Sequence, residues 1–138
     1  MTAAATQFRL EVVVVPVSDV DRAKAFYADK VGLNVDHDSD FGKLRVVQLT
    51  PPGSACSIVI GRGLAATMEP GYLQGLQLVV TDIEAARAEL AGRGVDVSEV
   101  RYMGPEDADG AKFVFFEDPD GNGWGVQEWR GRTTGGTA

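Results

Sequence analysis

A valine-rich run from Leu10 to Val17 is followed by a change of period, with Val20, Ala23, Phe26 and Tyr27 recurring at helical spacing up to Gly32. This predicts a strand and then a helix. Asp19 stands where an N-cap carboxylate accepts the free N–H groups of the first turn, and Gly32 can take the left-handed conformation that ends a helix. The same order returns just under half a chain length later. Leu76 to Val80 predicts a strand, Thr81-Asp82 the cap, Ile83, Ala86 and Leu90 the buried stripe, and Gly92 and Gly94 the stop.

The segments behind each helix repeat as well. Leu44 to Thr50 and Cys56 to Ile60 are short apolar stretches joined by a Pro51-Pro52-Gly53 turn, with an extra strand expected near Leu33 to Asp36. In the second half Val95 to Tyr102, Phe113 to Phe116 and Gly125 to Trp129 predict strands. The chain therefore reads as an α+β protein of two βαβββ modules, at about 8–63 and 72–130, in a single domain of residues 8–130. The small, polar ends 1–7 and 131–138 are expected to be flexible, and the loop Gly104 to Gly110, with Glu106, Asp107 and Asp109, to be a solvated connection. One helix per three or four strands cannot cover both faces of the sheet, so one face is left for a ligand, a partner chain or water.

Composition narrows the function. With 138 residues, 44% of them hydrophobic and 24% charged, the chain has the make-up of a globular domain able to bury about two-thirds of its unfolded surface. Acidic residues outnumber basic ones 20 to 13, for a net charge of -7, which repels a phosphate backbone and argues against nucleic acid as a partner. The longest apolar run, Val12 to Val17, is too short to cross a bilayer, and residues 1–11 hold no signal-peptide core. A cytoplasmic protein without a membrane partner is expected. Cys56 is the one cysteine and reads as a small buried hydrophobe.

Three segments carry a resemblance: Val17-Ser18-Asp19-Val20-Asp21-Arg22-Ala23-Lys24-Ala25-Phe26-Tyr27, Val80-Thr81-Asp82-Ile83-Glu84-Ala85-Ala86, and the turn Asp118-Pro119-Asp120-Gly121-Asn122. In this order the chain resembles the glyoxalase/bleomycin-resistance/extradiol-dioxygenase superfamily, also called the vicinal oxygen chelate superfamily. The resemblance implies two βαβββ modules forming a curved mixed sheet, each module half of a cup, and pairing of short chains into a homodimer. It leaves the chemistry open, because this fold supports metal-dependent lyases, isomerases and dioxygenases as well as passive drug-binding proteins.

The resemblance also implies where a metal would be held. Metal-dependent relatives place ligands seven positions before each helix-capping Asp, which are Val12 and Gly75 here, and carboxylates at positions matching Ser57 and Gly125. A catalytic divalent ion takes typically about three protein ligands, and none of these four residues is a normal donor. No metal and no other cofactor is expected. Glu11 and Glu128 lie near two of the positions but an odd number of residues away, so alternation turns them to the opposite face unless a bulge intervenes. His37 sits in Asp36-His37-Asp38-Ser39-Asp40, read as a polar loop, and a shifted metal site would have to draw on Glu11, Glu128 or His37.

Neither Gly61-Arg62-Gly63 nor Gly121-Asn122-Gly123-Trp124-Gly125 forms a nucleotide-binding loop, and no serine has a hydrolase context. No catalytic residue is assigned. What remains is the cup. If Val12, Ser57, Gly75 and Gly125 face it, alternation adds Val14, Val59, Gln77, Gln127 and Trp129. Such a lining, small and apolar with two amides and an aromatic, suits a small organic ligand. The sequence thus favours a small-molecule-binding protein or a metal-independent enzyme acting on a small organic metabolite. The alternative is a glyoxalase-like divalent-metal-dependent lyase, isomerase or dioxygenase.

Overall fold

The computed structural model describes residues 6–64, 68–105 and 111–129. Its first module runs β1 (Val12–Val14), α1 (Val20–Ala25), a π-helical continuation (Phe26–Val31), β2 (Asn34–Asp40), β3 (Arg45–Thr50) and β4 (Ser57–Arg62). The second runs β5 (Leu76–Val80), α2 (Ile83–Gly92), β6 (Arg101–Tyr102), β7 (Lys112–Glu117) and β8 (Gly123–Glu128). The strands form two four-stranded mixed sheets with the same order, β1-β4-β3-β2 and β5-β8-β7-β6, in which only β1/β4 and β5/β8 are parallel. This is the α+β duplication expected, with two sheets in the chain.

Both caps form as the sequence indicates. The Asp19 carboxylate accepts from the Arg22 N–H at 3.1 Å and the Asp82 carboxylate from the Ala85 N–H at 3.1 Å. Gly32 closes the first helix at φ 92°. Helix α2 runs through Gly92, and the turn falls instead at Gly94, φ 91°.

Other boundaries differ from expectation. The Asp36 to Asp40 segment is not a loop. It belongs to β2, whose polar residues on the helix side are held by ions: Arg45 binds Asp38 at 2.9 Å and Asp21 at 2.8 Å, and Lys24 binds Asp38 at 2.9 Å. Hydrogen bonds from Arg45, then from Lys24, hold the Asp38 carboxyl well below its ordinary range. In the second module only Arg101–Tyr102 of the expected Val95–Tyr102 strand is regular, although Val95 and Val97 are buried. Strand β1 is likewise shorter than Leu10–Val17. Residues 1–5 and 130–138, and the acidic positions Glu106, Asp107 and Asp109, lie outside the described residues.

A single apolar cluster joins the modules. Val47, Leu49, Ile58 and Ile60 of the first sheet and Val114, Phe116, Trp124 and Val126 of the second meet around Ala23, Tyr27, Ile83 and Leu90 of the helices. Burial of each large side chain stabilises the fold by roughly 1.5 to 3 kcal/mol. Because side chains alternate along a strand, the residues between these positions point away from the core. Each sheet thus has one face turned outward.

The Asp118-Pro119-Asp120-Gly121-Asn122 turn ties the modules together. The buried Asp118 carboxylate accepts from Tyr27 Oη at 2.7 Å, from Asn122 Nδ2 at 2.8 Å, and from the N–H groups of Asp120 and Asn122 at 2.9 Å. Asn122 Nδ2 also donates to the Pro16 carbonyl at 2.8 Å, and Trp124 Nε1 donates to Tyr27 Oη at 2.9 Å. Burial, and next the Asp118 charge, push the Tyr27 phenol far above its ordinary pKa, so it is a permanent donor.

Candidate functional site

The nine residues expected to line one cup fall into two sets, one on the outward face of each sheet. On the first sheet the register pairs Val12 with Ser57 and Val14 with Val59. On the second it pairs Gln77 with Gly125, and Gly75 precedes β5. Within one chain the two sets do not share a surface, since the common core lies between the faces that carry them.

The second sheet holds a cavity of about 680 Å³ that is open to solvent. Gly75, Gln77 and Gly125 line it, together with residues the sequence reading did not single out: Phe115, Asp96 and Glu117. Phe113 stacks on Phe115 with ring centroids 5.8 Å apart and planes 2° from parallel. The glycines explain why the rings lie flat. A Cβ at Gly125 would stand 3.3 Å from Phe115 Cε1, so the space left by the missing side chain is taken by the Phe115 ring. Gly123 likewise leaves room for the Gln74 side chain, which donates to the Gly121 carbonyl at 3.0 Å. Gly75 has a different reason to be glycine: its φ is +91° and nothing lies within 4 Å of its absent Cβ.

Two amides bridge β5 and β8 beside the cavity, with Gln77 Nε2 donating to Gln127 Oε1 at 2.6 Å. Trp129 lies one residue past β8, 38% exposed, its N–H donating to the Val80 carbonyl at 2.9 Å. Phe113 and Phe115 carried a readable signal. They alternate with the core residues Val114 and Phe116, which places them on the outward face.

The first sheet presents a different surface. Thr50 Oγ1 donates to the Asp36 carboxylate, which Asn34 Nδ2 also approaches at 2.9 Å. Having one proton, Thr50 must then accept from the Ser57 hydroxyl, 2.5 Å away. Gln48 Nε2 donates to Asp36 at 3.3 Å and weakly to Ser57 at 3.4 Å. These bonds, the Thr50 one first, lower the Asp36 pKa. A bulge between Val35 and His37 turns Asp36 to this face, and His37 stands opposite Gln48. Val14 lines a smaller cavity of about 170 Å³ together with Leu64, Met68 and Pro70 of the link between modules.

The positions at which the superfamily holds a metal do not fit one here. Val12, Gly75 and Gly125 offer no side-chain donor, and Ser57 is engaged with Thr50. Glu128 points to the core side as alternation requires, accepting from the Ile83 N–H at 3.0 Å at the start of α2 and lying 3.8 Å from Lys112 Nζ. Among the described residues no group of three or more His, Cys, Asp and Glu side chains is placed to hold a metal ion. No described helix is long and apolar enough to cross a membrane.

Comparison with known proteins agrees with this architecture. The family model of the Glyoxalase/Bleomycin resistance protein/Dioxygenase superfamily matches residues 9–126. The structure is similar to that of TnmS3, an antibiotic binding protein from Streptomyces sp. CB03234, with 34% identity over 91% of this chain and 98% of that one and a TM-score of 0.75. A glyoxalase/bleomycin resistance protein from the same Streptomyces is 36% identical over 87% of this chain and all of that one, with a TM-score of 0.71. A member of the superfamily from Sphaerobacter thermophilus DSM 20745 is 28% identical over 88% of this chain and 98% of that one, at a TM-score of 0.74. None of the curated proteins compared matches the chain. With the duplicated βαβββ order, the Asp-Pro-Asp-Gly-Asn turn and a family match across most of its length, the chain belongs to the Glyoxalase/Bleomycin resistance protein/Dioxygenase superfamily.

Proposed function

We propose that this protein binds a small organic molecule without a metal, and that the guest lies on the outward face of the second sheet. The observation that carries this reading is the stacked Phe113–Phe115 pair on a glycine floor beside an open cavity of about 680 Å³. A flat aromatic group can stack there on an exposed ring, with the Gln77–Gln127 amides beside it to orient polar substituents. The similarity to an antibiotic binding protein supports a drug-like or metabolite-like guest. Binding is favoured over catalysis because the Ser98 hydroxyl in the lining spends its proton on the Glu99 carbonyl and accepts from the Phe115 N–H, which leaves it no base to activate it as a nucleophile.

In this reading residues 8–130 act as one domain in the cytoplasm, as a homodimer. Each sheet turns one face away from the core, Phe8 and Leu10 stand exposed ahead of the edge strand β1, and Val79 of the edge strand β5 and Trp129 just past β8 are exposed as well. A second copy covering these edges would bring Val12, Val14, Ser57 and Val59 of one chain toward Gly75, Gln77, Gly125 and Gln127 of the other. The test is native mass spectrometry of protein purified from its own host, which reports subunit count and retained guest together. A dimer carrying an aromatic small molecule is expected. A monomer with a bound metal ion and no organic guest would contradict the proposal.

A further inference from the structure

We infer that the cavity on the second sheet selects a cationic guest, a planar aromatic bearing a protonated amine, and that Asp96 and Glu117 read its charge; this rests on the cavity being the ligand site. The segment ahead of β6 runs antiparallel beside β7. Ser98 donates its N–H to the Phe115 carbonyl at 2.9 Å, and its hydroxyl accepts from the Phe115 N–H at 2.9 Å. Two residues back along one segment and two forward along the other, Asp96 stands across from Glu117, and both line the cavity.

Like charges across neighbouring strands repel, so a cation would be expected close by. Among the described residues no Lys, Arg or His lines the cavity, and neither Asp96 nor Glu117 has a hydrogen-bond or ion-pair partner. Where acids of this chain face one another or a neighbouring element they are paired, Asp38 with Arg45 and Lys24, Asp40 with Arg62 and Asp120 with Arg22, whereas among the described residues Glu11, Asp29, Glu69 and Glu84 stand singly in solvent. The third carboxylate of the cavity, Asp118, is saturated by four donated hydrogen bonds. The two uncompensated charges therefore concentrate negative potential at the same opening where Phe115 offers a ring, and a cationic aromatic satisfies both. A hard divalent ion fits less well, since it takes about six or more oxygen ligands and among the described residues no third acidic or imidazole donor joins the pair.

The experiment measures affinity for 1-naphthylmethylammonium and for the neutral 1-naphthylmethanol by titration calorimetry, at low and high NaCl. The ammonium should bind the wild type at least about 10-fold more tightly, equivalent to about 1.4 kcal/mol. That preference should shrink at high salt. In the double variant Asp96→Asn/Glu117→Gln the preference should vanish while the alcohol's affinity stays within about 2-fold. Both side chains are exposed, so the variant should fold, which its melting curve checks. Equal affinities in the wild type, or a preference that survives in the double variant, would overturn the inference. So would displacement of the ammonium by millimolar MgCl2, which would assign the acids to an inorganic cation. If the alcohol binds in a Phe115-dependent way without any preference for charge, only the charge assignment falls. If neither probe binds, the ligand-site reading falls with it.

Discussion

The two outward faces arise from the same βαβββ order and hold out opposite chemistry. On the first sheet, Asp36, Thr50, Ser57 and Gln48 satisfy one another in a closed polar network, and the link between modules crosses the face at Leu64 and Met68. On the second, rings lie over glycine, two carboxylates have no partner among the described residues, and the cavity is open. Duplication thus fixes the scaffold while single positions set the chemistry of each outward face. The contrast at the strand that follows the helix-side core is the sharpest: β4 carries Ser57 and Val59 where β8 carries Gly123 and Gly125, and only the glycines let a neighbouring side chain lie flat on the sheet.

The comparison depends on the turn that fixes the modules to each other, and breaking it should have the largest effect. Asp118→Ala leaves Tyr27 Oη and the Asn122 amide without their buried acceptor and should cost about 3 to 5 kcal/mol in urea unfolding. A loss under about 1 kcal/mol would mean that the turn is not the joint.

Phe115→Ala should weaken an aromatic guest by at least about 10-fold in a titration. Its cost to stability should be modest, because the ring is already 36% exposed. Gly125→Leu attacks the same place from below. Its side chain meets the Phe115 ring, should cost about 1 to 3 kcal/mol of stability, and should abolish binding. Gly75→Leu enters open space but must adopt positive φ, a strain of roughly 1 to 2 kcal/mol, and should also block the guest. Guests bound equally well by both leucine variants would move the site off this sheet.

Acid should separate the two modules by charge. Asp38 has its pKa depressed by Arg45 and Lys24, so its ion pairs stabilise the first module above the ordinary carboxylate range and are lost as pH falls toward the lower folded value. Asp38→Asn should therefore be less stable than the wild type at neutral pH, with the gap closing below about pH 4. A gap that is constant with pH would assign the cost to packing. The smallest effect belongs to Thr50→Val, which cuts a part-buried but redundant network in which Gln48 still reaches both Asp36 and Ser57; stability should change by less than about 1 kcal/mol and aromatic binding not at all.

Much of this was legible in the sequence because it is local. Asp19 and Asp82 announce their helices by position, and Gly32 its stop. Strand β2 was hidden because His37, Asp38, Ser39 and Asp40 are polar on both faces; Asp38 is satisfied by Arg45 and Lys24, partners that only the fold supplies. Val95 to Val100 misled in the other direction, being apolar enough for a strand but meeting β7 chiefly through Ser98. Phe113 and Phe115 were readable by alternation. The juxtaposition of Asp96 with Glu117 was not, since it depends on a register between distant segments.

The claim that the second sheet is the receiving face is tested most directly by chemical-shift mapping with 1-naphthylmethanol on uniformly labelled protein. The account predicts the largest saturable shifts at Phe113, Phe115, Gly125 and Gln127, and their loss in Phe115→Ala. Shifts confined to Asp36, Gln48, Thr50 and Ser57 would contradict it.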